Sequence, residues 1–512
     1  MEAPTQEQSP IVALETRMRD ITPAKLYADI WINPSVKNLI KLYNHFRTLD
    51  RILYNYLPRH VVASIPEPGV NKHHWEQGTL MFTDLAGFTP LLEKNSQQGE
   101  KGAEALHNVL NQYFSKMIQI ISKSGGDLLE FTGDAMLVQF PSDSKDQDIN
   151  RAIRAGLRMQ REMESFSQIE ILGEKFSIGM RIGIHNGKFL TADIGTPHRM
   201  EHILLGDAVL STKKAESRGK NGAVCLSPST LAMIKDEFRT ETSEDGYGLI
   251  IDDLTEDQLG DYDIVVPRSR MASMVLFDHS REGLVQAITE AIDKLEPLAS
   301  FIPRPILQLL VENASSRGLP PDFPEPTLLF INLLGLPENL HEIDDQNLEE
   351  LVTVFSRLIS VINAEIETHG GVMKKVTYHH AGPDIMAFFG APIAHTNDVE
   401  RAIKAALGVR SLVKRMDAIT ISGETYKIQS HIGLNQGQAF AAEIGDSQGR
   451  REFNVLGNTV NTAARLMDFA EANQIILSDS VSRRLNDQYL KIELPNITLK
   501  GRSNPLTLWE LS

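Results

Sequence analysis

Four segments from the first half of this 512-residue chain return in the second half at a spacing of about 250 residues. Leu53-Tyr-Asn-Tyr-Leu-Pro-Arg59 is answered by Leu298-Ala-Ser-Phe-Ile-Pro-Arg304. LMFTDLAGF at 80–88 is answered by LLFINLLGL at 328–336, and IGIHNG from Ile182 by IGLNQG from Ile432. ILLGDAV from Ile203 is answered by NVLGNTV from Asn454. A spacing kept over four separate segments means two copies of one domain, so any fold for this chain must accommodate a duplicated unit.

Within each copy, apolar strand-like runs alternate with helical ones. In the first, residues 79–85 read as a buried strand and 100–122 as a helix with apolar residues three and four apart. Residues 128–131 and 135–140 read as a hairpin around Gly133, 151–166 as a helix, 177–184 as a strand and 207–217 as a helix. This order fits an α+β fold of the ferredoxin-like, split βαβ kind, present twice in tandem. Residues 1–74 form a helical lead-in and 75–267 the first copy. A helical connector follows at 268–324, ending in the break Leu319-Pro-Pro-Asp-Phe-Pro-Glu-Pro326, and 325–512 form the second copy. Residues 241–263 are acidic without Lys or Arg and read as a solvated surface.

The net charge of −16 opposes a nucleic-acid partner, because a phosphate-tracking surface leaves a basic excess. A bound polyphosphate would have to be met by local positive charge or metal. No apolar run approaches the ~20 residues of a membrane span, and no charged start with an apolar stretch behind it marks a signal peptide. The single cysteine, Cys225, excludes an internal disulfide framework and suits a reducing compartment, so the expected location is cytoplasmic.

Two acids in the first copy stand at places suited to hard cations. Asp84 closes a strand ahead of Leu-Ala-Gly-Phe-Thr, and Asp134 lies at the hairpin turn in Thr-Gly-Asp-Ala-Met. Gly87, Phe88 and Thr89 lead into a helix whose amides can hold a phosphate. Singly, such acids also occur as helix caps and turn residues; their joint appearance beside glycines points to a site. FTDLAGFT at 82–89 and GGDLLEFTGDAM at 125–136 resemble the two metal-binding signatures of the class III nucleotidyl cyclases. The resemblance covers most of both repeats. It implies that Asp84 and Asp134 bridge two Mg2+ ions, which Mn2+ can replace, with the Leu85 carbonyl as a further ligand.

The second copy lacks these acids: Asp84 falls on Asn332 and Asp134 on Pro383. It carries instead Gly457-Asn-Thr-Val-Asn461-Thr-Ala-Ala-Arg465, where Asn461 and Arg465 sit one helical turn apart on one face. The pair resembles the family's transition-state residues, asparagine for the ribose and arginine for charge on the transferring phosphate. The first copy has Leu210 and Lys214 there. Lys500 and Arg502 resemble the basic pair that contacts the terminal phosphates. Metal ligands from one half and transition-state groups from the other imply one composite site across a pseudo-twofold axis and one degenerate pseudo-site. In the latter, Glu130 and Lys214 would face the gap left by Asn332 and Pro383. The asymmetry resembles the tandem cores of soluble adenylyl cyclases and their bacterial relatives. ATP, cyclised to 3',5'-cyclic AMP, is the substrate the resemblance implies, and a monomer can form the site, though a dimer is equally compatible.

The base-reading residues stay open. Asn454 is one, and it can serve either purine. The second-copy hairpin is four residues longer than the first, so alignment from its left end offers Lys375, and from its right end His379 or Ala381. A guanylate or mixed-purine cyclase is thus one alternative, and a nucleotide-binding regulatory module without catalysis is another. The sequence shows neither the activating signal nor a regulatory partner.

Overall fold

The computed structural model describes residues 14–142, 147–234, 237–243, 245–260, 278, 280–316, 318–337, 340–379, 382–446, 449–497 and 506–512. The first copy is built on β1 (Lys72–Ala86), whose inner half, Leu80, Met81 and Phe82, is apolar on both faces and buried, as a central strand requires. Around it lie β2 (Asp127–Thr132), β3 (Ala135–Pro141), β4 (Gly179–Thr196), β5 (Arg199–Leu205), β6 (Val224–Leu226), β7 (Thr240–Thr242) and β8 (Gly248–Ile250). The sheet runs β2-β3-β1-β4-β6-β8-β7, with β5 paired to β4. β1 is antiparallel to both neighbours. The strand begins seven residues earlier than the apolar pattern indicates. Its outer half is polar apart from Trp75 and forms a long ribbon with β4, Lys72 opposite Asp193.

The second copy repeats this plan with β9 (Thr327–Leu334), β10 (Val372–His379), β11 (Gly382–Phe389), β12 (Gln429–Gln436), β13 (Phe440–Gly445), β14 (Arg451–Leu456), β15 (Ile475–Ser478), β16 (Lys491–Ile497) and β17 (Leu506–Leu511). Its sheet order is β10-β11-β9-β12-β15-β17-β16, and β13 and β14 pair separately. Both copies are α+β, as expected. The acidic segment after residue 240 is more than a solvated surface. β7 and β8 extend the first sheet, and Arg161 holds the following loop through Asp252 at 2.6 Å and Glu256 at 2.7 Å. Residues 261–263 of that segment lie outside the described residues.

The helices α1 (Val36–Tyr56), α2 (Phe88–Ser96), α3 (Gly99–Lys123), α4 (Asp148–Glu162), α5 (Asp207–Arg218), α6 (Arg281–Ser300), α7 (Arg304–Glu312), α8 (Asp345–Thr368), α9 (Asp398–Arg415) and α10 (Asn458–Phe469) complete the plan. On α3, Leu106, Leu110, Phe114, Met117 and Ile121 recur at three- and four-residue spacing and are all buried. None of the described helices is long and apolar enough to cross a membrane.

The copies exchange hydrophobic surface reciprocally. Phe440, Ala442, Ile444 and Leu456 of the β13–β14 ribbon belong to the core of the first copy. Leu190, Ala192, Ile194, Ile203 and Leu205 of the β4–β5 ribbon belong to the core of the second. Hydrogen bonds follow the same symmetry: Gly445 N donates to Asn111 Oδ1 at 3.2 Å, and Gly195 N to Ser356 Oγ at 3.0 Å. At roughly 1.5–3 kcal/mol per large apolar side chain buried, this exchange fixes how the copies sit.

The lead-in and connector, though far apart in sequence, pack on each other. Leu39, Leu42, Phe46 and Leu49 of α1 share a core with Leu284, Ile288, Ile292 and Leu295 of α6. The end of α1 and the turn of helix after it, Arg59–Ala63, then touch both copies. Tyr56 Oη donates to Glu443 Oε2 at 2.5 Å, and His60 Nδ1 lies 2.9 Å from Asp127 Oδ2.

Candidate active site

β1 delivers Asp84 to the end of the sheet that carries the β2–β3 turn. The register pairs Thr83 with Met136 and Thr132 with Ala135, so the two-residue turn Gly133-Asp134 lies beside Asp84. Gly133 has φ +72°, which suits glycine in so tight a turn. Burial, and next the charge of Asp84, push the Asp134 carboxyl up to about 7. Tyr113, fully buried in α3, feels both acids: burial first, then Asp134 and Asp84, raise its hydroxyl well above the ordinary range. Two carboxylates thus share one small region of low dielectric.

Asp84 has a cationic neighbour that sequence reasoning missed. Arg181, opposite it on β4, donates from Nη2 to Asp84 Oδ2 at 2.5 Å and reaches Glu216 on α5 through Nε at 2.9 Å. Burial and the charge of Asp84 raise the Glu216 carboxyl to about 7. Among the described residues, no group of three or more His, Cys, Asp or Glu side chains is placed to hold a metal ion.

Leu85 is buried and contributes only its backbone. Gly87 caps α2 at φ +85°, and a Cβ there would meet the Ser177 carbonyl oxygen at 2.6 Å, so only glycine fits. The Phe88 side chain is core, which leaves the amides of Phe88 and Thr89 at the helix start.

The second copy brings α10 and β14 to these elements. Asn454 on β14 is buried and donates from Nδ2 to the Gly133 carbonyl at 3.4 Å. α10 starts at Gly457, where a Cβ would meet Leu92 of α2 at 3.3 Å. Asn461 is exposed and Arg465 half-buried, roughly 6 and 12 Å along the axis from that contact at 1.5 Å per residue. Lys500 and Arg502 lie outside the described residues, as do His380 and Ala381.

The long hairpin resolves by register. β10 carries a bulge between Met373 and Lys375, matching the bulge between Leu128 and Glu130 on β2, and Lys375 pairs with Met386 as Glu130 pairs with Leu137. Lys375 is therefore the counterpart of Glu130, and the four extra residues sit at the tip. Lys375 Nζ lies 3.1 Å from Glu130 Oε1. Beside it a cavity of about 90 Å3 takes in Glu130, Lys374, Lys375 and Arg450 but neither Asp84 nor Asp134.

At the symmetry-related cleft, Asn332 Nδ2 donates to Asp384 Oδ1 at 2.7 Å. Burial pushes the Asp384 carboxyl up to about 7; the cation it faces is Lys213, not Lys214, and Asp468 adds a like charge. Lys214 is exposed on α5, whereas Lys213 turns inward over the Phe82 ring at 5.7 Å. One residue along a helix is about 100° of rotation, which decides between them.

The family model described as "Adenylate and Guanylate cyclase catalytic domain" matches residues 70–247 and 322–511. "Adenylate cyclase type 10" of Rattus norvegicus is 25% identical over 439 residues, 84% of this chain and 26% of its own length. The Homo sapiens protein of that name is 24% identical over 85% of this chain and 26% of its own length. The chain thus spans about a quarter of the length of these curated relatives. A solved structure titled as a class III adenylyl cyclase-like ATP-binding protein from Pseudomonas aeruginosa matches with a TM-score of 0.54 at 14% identity, covering 86% of this chain and 93% of the other. That likeness supports the fold across both copies.

Proposed function

Because this chain belongs to the family of adenylate and guanylate cyclase catalytic domains, in two copies, we propose that it converts ATP to 3',5'-cyclic AMP and pyrophosphate at one site between them. The observation that carries the reading is the half-buried Asp84–Asp134 pair, whose counterparts in the second copy are Asn332 and Pro383. The pair fits a divalent cation. Burial first, and the Asp84 carboxylate second, keep the proton on Asp134 up to about 7, and a bound cation would offset both. Asp84, Asp134 and the Leu85 carbonyl would hold Mg2+ or Mn2+; for Asp84 this requires Arg181 to give way. Two such ions would lower the pKa of the ribose 3'-hydroxyl and neutralise the leaving pyrophosphate.

The chain's own groups do the rest. The amides following Gly87 cradle phosphate oxygens, with the helix start favouring negative charge. Asn461 orients the ribose, and Arg465 opposes charge building on the α-phosphate. Lys500 and Arg502 meet the terminal phosphates. Lys375 offers only donors, which matches the N1 acceptor of adenine, and Asn454 supplies a second contact. In the other cleft Asp384 faces Lys213, whose ammonium also feels Glu130, and Pro383 stands where the first copy has Asp134, so the pair of acids is not repeated there, in keeping with a degenerate pseudo-site. Both halves lie on one chain, so a monomer suffices, working in the cytoplasm.

The Arg181–Asp84 contact favours one competing reading, a module that binds ATP without cyclising it. Purified protein offered ATP or GTP with Mg2+ or Mn2+ separates the two. Cyclic AMP formed from ATP supports catalysis; binding of an ATP analogue with no cyclic product even in Mn2+ refutes it. A cyclic GMP product in excess would reassign the substrate.

A further inference from the structure

The hairpin that ends in Asp134 also holds both side chains assigned to the base. Lys375 Nζ donates to Glu130 Oε1 at 3.1 Å and to the Phe131 carbonyl. Asn454 Nδ2 donates to the Gly133 carbonyl at 3.4 Å. Glu130 is in turn fixed by Thr132, whose Oγ1 donates to Oε1 at 2.6 Å. The Lys375 side chain is only 11% exposed and that of Glu130 21%, so solvent does little to loosen the pair. Because the two residues occupy equivalent places in β10 and β2, the pair joins the copies on their symmetry axis.

An ammonium has three N–H donors and no acceptor. Two of those of Lys375 are committed to Glu130 and Phe131, which leaves one with a fixed direction. Without Glu130, Lys375 would keep the Phe131 carbonyl and the charge of Glu452 but would have less to hold it against the repelling ammonium groups of Lys213 and Lys374. We propose that Glu130 is a positioning residue for purine selection: it anchors Lys375 so that the remaining N–H points to an acceptor on the base. Adenine presents such an acceptor at N1, and guanine presents an N–H there. The inference rests on the assignment of Lys375 to the base made above and gives Glu130, bonded to Thr132 and Lys375, a role in selectivity.

The test uses the full chain with Mg2+ and measures calorimetric binding of α,β-methylene-ATP and of its guanine counterpart, with steady-state kcat and KM alongside. In Glu130→Gln, the dissociation constant for the adenine analogue should rise about tenfold and that for the guanine analogue about twofold or less, the scale of one charge-assisted hydrogen bond. KM for ATP should follow while kcat changes less than about threefold. Glu130→Asp keeps the charge and should recover part of the preference. Glu130→Gln combined with Lys375→Met should be no worse than Lys375→Met alone. If Glu130→Gln lowers the thermal midpoint but leaves the adenine preference as in the parent, Glu130 only glues the copies and the proposal is wrong. If Lys375→Met leaves the preference intact, the base-reading assignment itself fails and the proposal falls with it.

Discussion

Replacing Asp134 by Asn should stabilise the metal-free protein while ending its turnover. Burial and the charge of Asp84 move the Asp134 carboxyl from 3.8 to about 7. A carboxyl raised on folding gives stability that is complete below its unfolded value and is lost as pH climbs through the folded value. At 1.36 kcal/mol per pH unit, the ceiling of that loss by pH 8 is about 4 kcal/mol. Asp134 is only half-buried at the turn, so solvent screens part of it, and about 1–2 kcal/mol is the expected gain from Asp134→Asn. For a copy of this size that is a rise of about 2–8 °C in melting temperature. The assay is thermal unfolding of the full chain in chelator at pH 8 and pH 5. At pH 5 the native carboxyl holds its proton and the advantage of Asn should shrink by more than half. Saturating Mn2+ should reverse the order, because the cation stabilises only a native state that can bind it. A variant that melts no higher than the parent at pH 8, or whose advantage persists undiminished at pH 5, would show that burial beside Asp84 does not hold the Asp134 carboxyl above its ordinary range.

Asp84→Ala should abolish cyclase turnover yet melt within about 3 °C of the parent, since it removes a ligand and a partly exposed ion pair with Arg181, not core packing. Arg465→Ala should lower kcat about 10²–10³-fold while KM for ATP moves less than about threefold, as steady-state kinetics would show; an equal loss in analogue binding would place Arg465 in ground-state recognition instead. Gly87→Ala should destabilise by about 1–3 kcal/mol, seen in thermal melts, because the new Cβ meets the Ser177 carbonyl oxygen at 2.6 Å and the backbone sits at φ +85°.

The duplicated plan was legible because its signals are local: the β1 and β9 runs, the glycines that open α2 and α10, and the spacing of Asn461 and Arg465 need no knowledge of tertiary contacts. Asp84 and Asp134 could be paired for the same reason, each standing within three residues of a glycine near the end of a strand. Arg181 and Glu216 could not. A charged residue in the run Gly-Met-Arg-Ile-Gly-Ile has no assigned partner until the β1–β4 register sets it opposite Asp84. Likewise the choice between Lys375 and the hairpin's right end depends on a bulge, a feature of pairing rather than of composition. Lys213 escaped because alignment to Arg465 selects Lys214, whereas the inward direction belongs to its neighbour. The packing of α1 against α6 was hidden for a simpler reason: both are ordinary amphipathic helices, and nothing in either names its partner.

The reciprocal placement of the β4–β5 and β13–β14 ribbons carries a consequence for how such a protein operates at low abundance. Two separate subunits would meet only at concentrations near their dissociation constant, and each alone would bare the apolar strip its twin normally shields. One covalent backbone replaces that encounter with an effective local concentration on the order of millimolar. Association of the two copies thereby becomes independent of dilution, and neither strip is left bare when the protein is scarce.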